Sequence, residues 1–110
     1  MVKRFGQVIG LRPEAIPEYK RIHVKIWDEI AGAIAEAGIT RYSIFLKDTT
    51  LFAYFEYTGP EEEFKERMQK LAAAPRMREW WDITEAMQAP LSTRQEGEWW
   101  ADMEEVFHQD

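Results

Sequence analysis

The sequence has no cysteine, no excess of basic residues and no long apolar run. Without cysteine the chain cannot form disulfides, a thiolate nucleophile or a cysteine metal site. Its 20 acidic residues outnumber 14 basic ones, for a net charge of −6. That charge argues against binding to nucleic acid or to an anionic membrane. No stretch approaches the roughly 20 apolar residues that span a bilayer, and the first residues lack the apolar core of a secretory signal. We therefore expect a cytoplasmic protein.

Aromatic residues are abundant instead. The 110 residues include five Trp, four Tyr and six Phe. So many large rings have to be buried, paired with a partner or exposed to a ligand. The length fits a single domain, residues 1–110, with one modest hydrophobic core.

Alternating apolar residues predict the strands. The segment Lys3–Leu11 alternates and carries apolar residues on both faces, which predicts a central strand. Segments Ile39–Lys47 and Leu51–Thr58 predict two more strands, which need cover on both faces because both faces are apolar. Near the end of the chain, Ala89–Gly97 has a turn-like composition and Met103–His108 predicts a last short strand.

Two regions have helical periodicity. Apolar positions from Ile16 to Ala37 recur at spacings of three and four, which predicts one amphipathic helix ending at Gly38. A second helical region follows Gly59-Pro60, is interrupted at Pro75 and resumes to Met87. The resulting order, β-α-β-β-α-β, predicts an α+β, ferredoxin-like fold with one helical layer. The uncovered face of the sheet, rich in aromatic residues, predicts a homodimer joined sheet to sheet.

His23 is the first candidate for chemistry. It lies on the predicted apolar stripe, with Tyr19 four residues before it and Trp27 four residues after, so one helix would project all three from the same face. A lone histidine in such a stripe is more often a core residue that donates to a backbone carbonyl, and that interpretation stays open. All three side chains, however, combine a polar atom with a flat apolar surface. This combination favours the wall of a pocket between helices and sheet.

The pair Trp80-Trp81 is the second candidate. Adjacent helical positions point about 100° apart, so one ring can pack in the core while the other faces a cavity. Aromatic rings commonly stack on the C–H faces of a neutral sugar. The alternative is that both tryptophans belong to the core or to an interface. Tyr42 lies on the same strand face as Ile44, and its hydroxyl is either bonded to the backbone or open to the pocket.

Other reaction classes have little support. We expect no metal site, because His23 has no second histidine nearby and Asp28 and Glu29 fall off its helical face. There is no G-x-S-x-G turn and no glycine-rich phosphate loop. The acids 61–63 are expected to begin a helix. Trp99-Trp100 is a candidate contact with a partner subunit, and neither this pair nor His108 receives a firm role.

Several of these residues together resemble a known family. The segment from Glu18-Tyr19 to His23, continuing through Ile26-Trp27 and Glu29, resembles the E-Y-x-x-x-H-x-x-I-W-x-E signature of L-rhamnose mutarotases. The similarity covers nearly the whole chain at consistent spacing: it extends through Gly38, Tyr42-Ser43-Ile44, Leu51-Phe52-Ala53, Trp80-Trp81, Met87 and Glu105-Val106-Phe107. The chain departs from the family pattern at Arg41 and Phe45, and in its longer, tryptophan-containing approach to the last strand.

The resemblance implies a dimeric ferredoxin-like α/β barrel that interconverts the α and β anomers of L-rhamnose without a cofactor. His23 matches the catalytic proton donor of the family, and Tyr19, Tyr42, Trp80 and Trp81 match substrate-binding positions. Two alternatives share the same fold: a dimeric α+β barrel monooxygenase that acts on an aromatic substrate, and a non-catalytic binding dimer. Which neutral monosaccharide is preferred stays open.

Overall fold

The computed structural model describes residues 2–110, which form a curled antiparallel sheet of five strands with four helices. The strands are β1 (Lys3–Leu11), β2 (Ile39–Lys47), β3 (Thr50–Tyr57), β4 (Gln88–Ala89) and β5 (Ala101–Met103). The helices are α1 (Ile16–Ile22), α2 (Asp28–Glu36), α3 (Phe64–Ala73) and α4 (Pro75–Met87). None of the helices in this part of the chain is long and apolar enough to cross a membrane.

The central strand is β1, as its sequence predicts. It pairs with β3 along nearly its whole length, from Lys3 opposite Tyr57 to Gly10 opposite Thr50. Its other edge pairs with the two short strands β4 and β5, and β2 completes the sheet beyond β3. The sheet order β2-β3-β1-β4 and the element order confirm the predicted α+β, ferredoxin-like fold.

The last strand of that fold is split in two, and its predicted position is wrong. Ala89 pairs with β1 as part of β4, although the sequence places it in a turn-like segment. The chain leaves the sheet at Pro90, which has no N–H to donate to a ladder. It returns as β5 and ends pairing at Met103, so residues 104–108 of the predicted strand lie outside the sheet. Glu105 stays beside β1 through its side chain, which accepts a bond of 2.8 Å from the Arg4 guanidinium.

The predicted single helix from Ile16 to Ala37 is also wrong, because residues 23–27 separate α1 from α2. In a continuing α-helix the main-chain N–H of His23 would bond the carbonyl of Tyr19. The imidazole Nδ1–H of His23 donates a hydrogen bond to that carbonyl instead, at 2.7 Å. The N–H of His23 then bonds the carbonyl of Lys20, at 3.2 Å. A side chain thus satisfies a terminal carbonyl and ends the helix.

The predicted boundaries around the other helices agree better with the structure. Gly38 follows α2 with a φ of 89°, a left-handed conformation that favours glycine. Ala74, in an extended conformation, separates α3 from α4, and Pro75 begins α4, where its missing N–H costs no hydrogen bond.

The core lies between the helices and the inner face of the sheet. One buried cluster joins Ile9, Leu11 and Leu51 of the sheet to Tyr19 of α1. A second buried cluster joins Ile30 of α2 to Met77 and Trp80 of α4. The inner-face residues are the ones that the alternating pattern grouped together. The helices therefore cover the face that the sequence predicts.

The approach of β4 to β1 requires glycine at position 10. A Cβ built on Gly10 would lie 2.7 Å from the carbonyl oxygen of Ala89. We predict that Gly10→Ala lowers the free energy of unfolding by about 1–3 kcal/mol, because the overlap forces the two strands apart. Urea unfolding followed by circular dichroism measures this change.

The matched control is Gly32→Ala on the exposed side of α2, where an added Cβ would meet no heavy atom within 4 Å. That change is expected to stabilise the protein by roughly 0.5–1 kcal/mol, because alanine is the better helix former. Equal stability of the two variants would contradict the close approach of β4.

Candidate active site

Two adjoining cavities open between the helices and the sheet. The histidine cavity, of about 440 Å³, is lined by His23 together with Ile44 and other apolar residues. The amide cavity, of about 360 Å³, is lined by Gln7 and Gln88 among others. The two share five lining residues: Ile30, Ile34, Ile39, Tyr42 and Trp80. Each has the volume of a small-molecule site.

A third hollow of about 370 Å³ lies between α2 and α3 and is lined largely by charged side chains. Four of these side chains already pair with one another: Arg67 with Glu63 at 3.0 Å, and Lys70 with Glu36 at 3.8 Å. Charged side chains that are exposed to solvent and already paired attract a ligand only weakly. The two cavities beside Trp80 are therefore the candidate site.

The hydrogen bond between His23 and Tyr19 determines the tautomer of the imidazole. A carbonyl oxygen can only accept, so Nδ1 of His23 must donate to the Tyr19 carbonyl. In the neutral ring the lone pair then lies on Nε2. His23 is half-buried and lines the histidine cavity, so its chemistry is available there.

Burial lowers the pKa of His23 from its ordinary value of 6.5. Desolvation disfavours the charged imidazolium, and the bond to the Tyr19 carbonyl, which favours the charged form, opposes this effect less strongly. The ring is therefore mainly neutral at pH 7, and its Nε2 is ready to accept a proton.

Trp80 is the centre of the aromatic wall of the site. The ring of His23 meets it edge-on with centroids 5.4 Å apart, and the ring of Trp27 does so at 5.2 Å. Tyr19 stacks on His23 at 4.3 Å. His23 and Trp27 thus contact Trp80 directly, and Tyr19 joins them through His23, although the predicted helix is broken before Trp27.

Tyr42 reaches both cavities from a bulge in β2. The register with β3 shifts between Thr40 and Ser43, and Arg41 has a φ of 51°. Such a bulge re-aims the side chains next to it. The Tyr42 ring packs against Phe55 at 5.3 Å and is open to the cavities on the other side. Tyr42 is 42% exposed, yet the surrounding protein raises its pKa to about 12, chiefly by desolvation, so the phenol keeps its proton at neutral pH.

The other two predicted site residues have different surroundings. Trp81 lines the amide cavity beside Trp80. Tyr19 lines neither cavity: its ring is 5% exposed in the core, and its hydroxyl accepts a hydrogen bond of 3.1 Å from Gln88. Burial raises the pKa of Tyr19, so this hydroxyl also keeps its proton. Four of the five predicted residues therefore line the cavities. Tyr19 lies in the core next to them and contacts Gln88 of the cavity wall.

The polar wall of the amide cavity was not predicted from the sequence. Gln88 and Trp99 line it and bond to each other, and Gln7 lines it while donating to Asp102 at 2.8 Å. Gln7 had a usable signal, as a polar residue on the inward-facing side of β1. Gln88 had none, because its strand has only two residues. Within residues 2–110, no group of three or more His, Asp or Glu side chains is arranged to hold a metal ion.

The state of His23 can be measured directly. We predict that nitrogen-15 NMR finds the neutral ring protonated at Nδ1, with a pKa below 6.5 because of burial. The unfolded chain binds this proton more readily, so the contribution of His23 to stability is present above pH 6.5 and is lost as the pH falls through the lowered pKa. The variant His108→Gln assigns the two histidine spectra. A ring protonated at Nε2 would contradict the geometry.

Known proteins are similar to this chain over nearly its whole length. The family model for L-rhamnose mutarotase matches residues 4–109. An L-rhamnose mutarotase from Lactiplantibacillus plantarum is 34% identical over 97% of this chain and 98% of its own, and one from Oceanobacillus iheyensis is 32% identical over 99% and 100%.

Solved structures share the fold. The crystal structure of an L-rhamnose mutarotase from Formosa agariphila has a TM-score of 0.76 at 24% identity, covering 98% of this chain and 99% of that one. A tetracenomycin F2 cyclase from Streptomyces glaucescens has a TM-score of 0.73 at 14% identity, covering 98% and 97%. These two likenesses concern the fold alone. On the family match and the similarity of its relatives over their full length, the chain belongs to the L-rhamnose mutarotase family.

Proposed function

We propose that this protein interconverts the α and β anomers of L-rhamnose by opening and closing the sugar ring. The observation that carries the proposal is that His23, whose Nδ1 is already bonded, and Tyr42, whose phenol keeps its proton, line the same cavity beside Trp80. Membership of the family and the names of the relatives support the same reaction. The cytoplasm, expected from the sequence, stays the predicted compartment.

The lining of the histidine cavity suits a neutral sugar. Apart from His23, the described residues around it are apolar or aromatic, with the Tyr42 hydroxyl as a polar group. None of these side chains has a fixed charge, so an anionic or cationic substrate would be desolvated there without a partner. The faces of the rings offer flat apolar surfaces to the C–H groups of a pyranose.

Ring opening needs two proton movements. In the proposed step, Nε2 of His23 takes the proton of the anomeric hydroxyl while the Tyr42 phenol gives its proton to the ring oxygen. The C1–O5 bond breaks and the C1–O1 bond becomes a carbonyl. The open aldehyde then rotates about C1–C2 and closes on its other face, and both protons return to their original groups. The sugar gains and loses no atoms, so the cycle needs no co-reactant.

In this mechanism His23 starts the cycle as a proton acceptor, which differs from the role that the family resemblance implies. The resemblance makes His23 the proton donor, whereas its lowered pKa favours a neutral ring that accepts first. The imidazolium formed in this way donates during ring closure, so His23 acts in both directions over one cycle. The catalysed rate is therefore expected to fall as the pH drops through the lowered pKa of His23.

The main test is His23→Gln. We predict that the wild-type protein accelerates exchange between the two anomeric signals of L-rhamnose, and that His23→Gln loses on the order of 10²–10⁴-fold of that acceleration by removing the proton acceptor. Selective inversion of one anomeric signal by NMR measures the rate.

The control is His108→Gln, since His108 lies near the end of the chain and bonds Asp110 outside the site. It should exchange the anomers at the wild-type rate. Near wild-type exchange in a folded His23→Gln would remove His23 from the mechanism. A rate that rises as the pH falls below 6 would assign the imidazolium as the starting acid. Oxygen consumption with a polycyclic phenol would favour the monooxygenase instead.

We also propose that two copies join through the outer face of the sheet. Phe45 and Phe52 stack there with centroids 6.3 Å apart and are 60% and 36% exposed, and Met103 of β5 is 51% exposed. A patch of this kind on a sheet is typical of an interface between subunits.

The dimer proposal predicts that Phe45→Lys shifts the protein to monomers by placing unpaired charges in the shared face. Sedimentation should give about twice 13.0 kDa for the wild type and 13.0 kDa for the variant. The control is Val24→Lys, a similar change at an exposed residue between α1 and α2. A wild-type monomer at micromolar concentration would refute the dimer.

A further inference from the structure

A chain of three hydrogen-bonded side chains supports the amide cavity. The indole Nε1–H of Trp99 donates to Oε1 of Gln88 at 2.8 Å, and Nε2–H of Gln88 donates to the hydroxyl oxygen of Tyr19 at 3.1 Å. The three residues come from the segment between β4 and β5, from β4 and from α1. Gln88 is only 3% exposed yet lines the cavity. A buried amide is thus held at the wall of the site by two separate parts of the fold.

The chain of bonds determines which way the amide points. An indole N–H can only donate, so the carbonyl oxygen of Gln88 must face Trp99. The NH₂ group must then face the other way. One of its two hydrogens bonds the Tyr19 oxygen, which leaves the second amide hydrogen as a donor for the cavity. Without Trp99 the two ends of the amide could exchange places.

We propose that Gln88 is a specificity residue, which donates its second amide hydrogen to one hydroxyl oxygen of a sugar that extends from the histidine cavity into the adjoining amide cavity. Trp99 is a positioning residue that keeps the amide in the donating orientation. This inference rests on the proposed function, because it takes the ligand of the site to be a neutral monosaccharide. It also explains why a glutamine is buried at a cavity wall otherwise built largely from aromatic and aliphatic side chains.

The expected energetic role follows from burial. A buried donor that meets a sugar hydroxyl discriminates strongly against a ligand that lacks it, because the donor is then left unpaired away from water. A neutral amide suits this task better than a charged group, since it can remain buried in the free protein. Gln88 is therefore expected to affect the KM and the choice of sugar more than the kcat, which depends on His23.

The test compares Gln88→Met with the wild type. Methionine keeps an unbranched side chain of similar length but has no amide hydrogen. We expect the KM for L-rhamnose to rise about tenfold while kcat changes little. We also expect the wild type to discriminate against one monodeoxy analogue of the sugar, and Gln88→Met to lose that discrimination. Trp99→Phe, which keeps a ring and removes the N–H, should weaken the same discrimination in part.

The matched control is Gln69→Met on the exposed side of α3, which should leave KM, kcat and the analogue pattern unchanged. Wild-type KM and wild-type discrimination in a folded Gln88→Met would overturn the inference. So would a loss of kcat with an unchanged analogue pattern, which would indicate a structural role only. If Gln88→Met does not fold, Trp99→Phe decides by the same analogue comparison.

A second measurement separates this inference from the proposed function. The side-chain NH₂ resonances of Gln88, identified by their loss in Gln88→Met, are followed while L-rhamnose is added. A saturable shift supports the inference even if the wild type does not accelerate anomer exchange, in which case only the proposed function fails. If L-rhamnose causes no shift of these resonances at any concentration, Gln88 does not contact the sugar.

Discussion

The hydrogen bond from Nδ1 of His23 to the carbonyl of Tyr19 is the contact on which the site depends. It takes the carbonyl that would continue α1 and so ends the helix at Ile22. The chain then turns, and Trp27 approaches Trp80 from outside α1. The same bond occupies Nδ1 and leaves the other ring nitrogen for the cavity. One bond therefore sets the course of the chain and the protonation of the candidate catalytic group.

Desolvation gives the two candidate proton-transfer groups complementary states. It lowers the pKa of the half-buried His23 and raises that of the partly exposed Tyr42, because it disfavours the imidazolium and the phenolate alike. At neutral pH the imidazole of His23 can therefore accept a proton, and the phenol of Tyr42 still carries one. A reaction that removes one proton from a sugar and adds another needs this pairing, and the largely apolar walls around Trp80 provide it.

Much of the fold could be predicted because alternation and helical spacing respond directly to burial. The bounds of β1 and β2 and the glycine after α2 agree with the sequence pattern. The pattern failed where side-chain bonds compete with the backbone. Nothing in the spacing of Tyr19 and His23 distinguishes a continuing helix from one whose carbonyl is taken by an imidazole. Likewise, the short strands β4 and β5 depend on which edge of β1 is free, a long-range property.

The sequence by itself determined the family, the element order and four of the residues that border the cavities, because these follow from local periodicity and from a motif preserved along the chain. Only the tertiary structure decided that Tyr19 lies behind the site, and that Gln88 and Trp99 form part of its wall. Residues 19, 88 and 99 are far apart in sequence and meet through directional hydrogen bonds. Such bonds depend on positions in space, which the spacing of residues along the sequence does not predict.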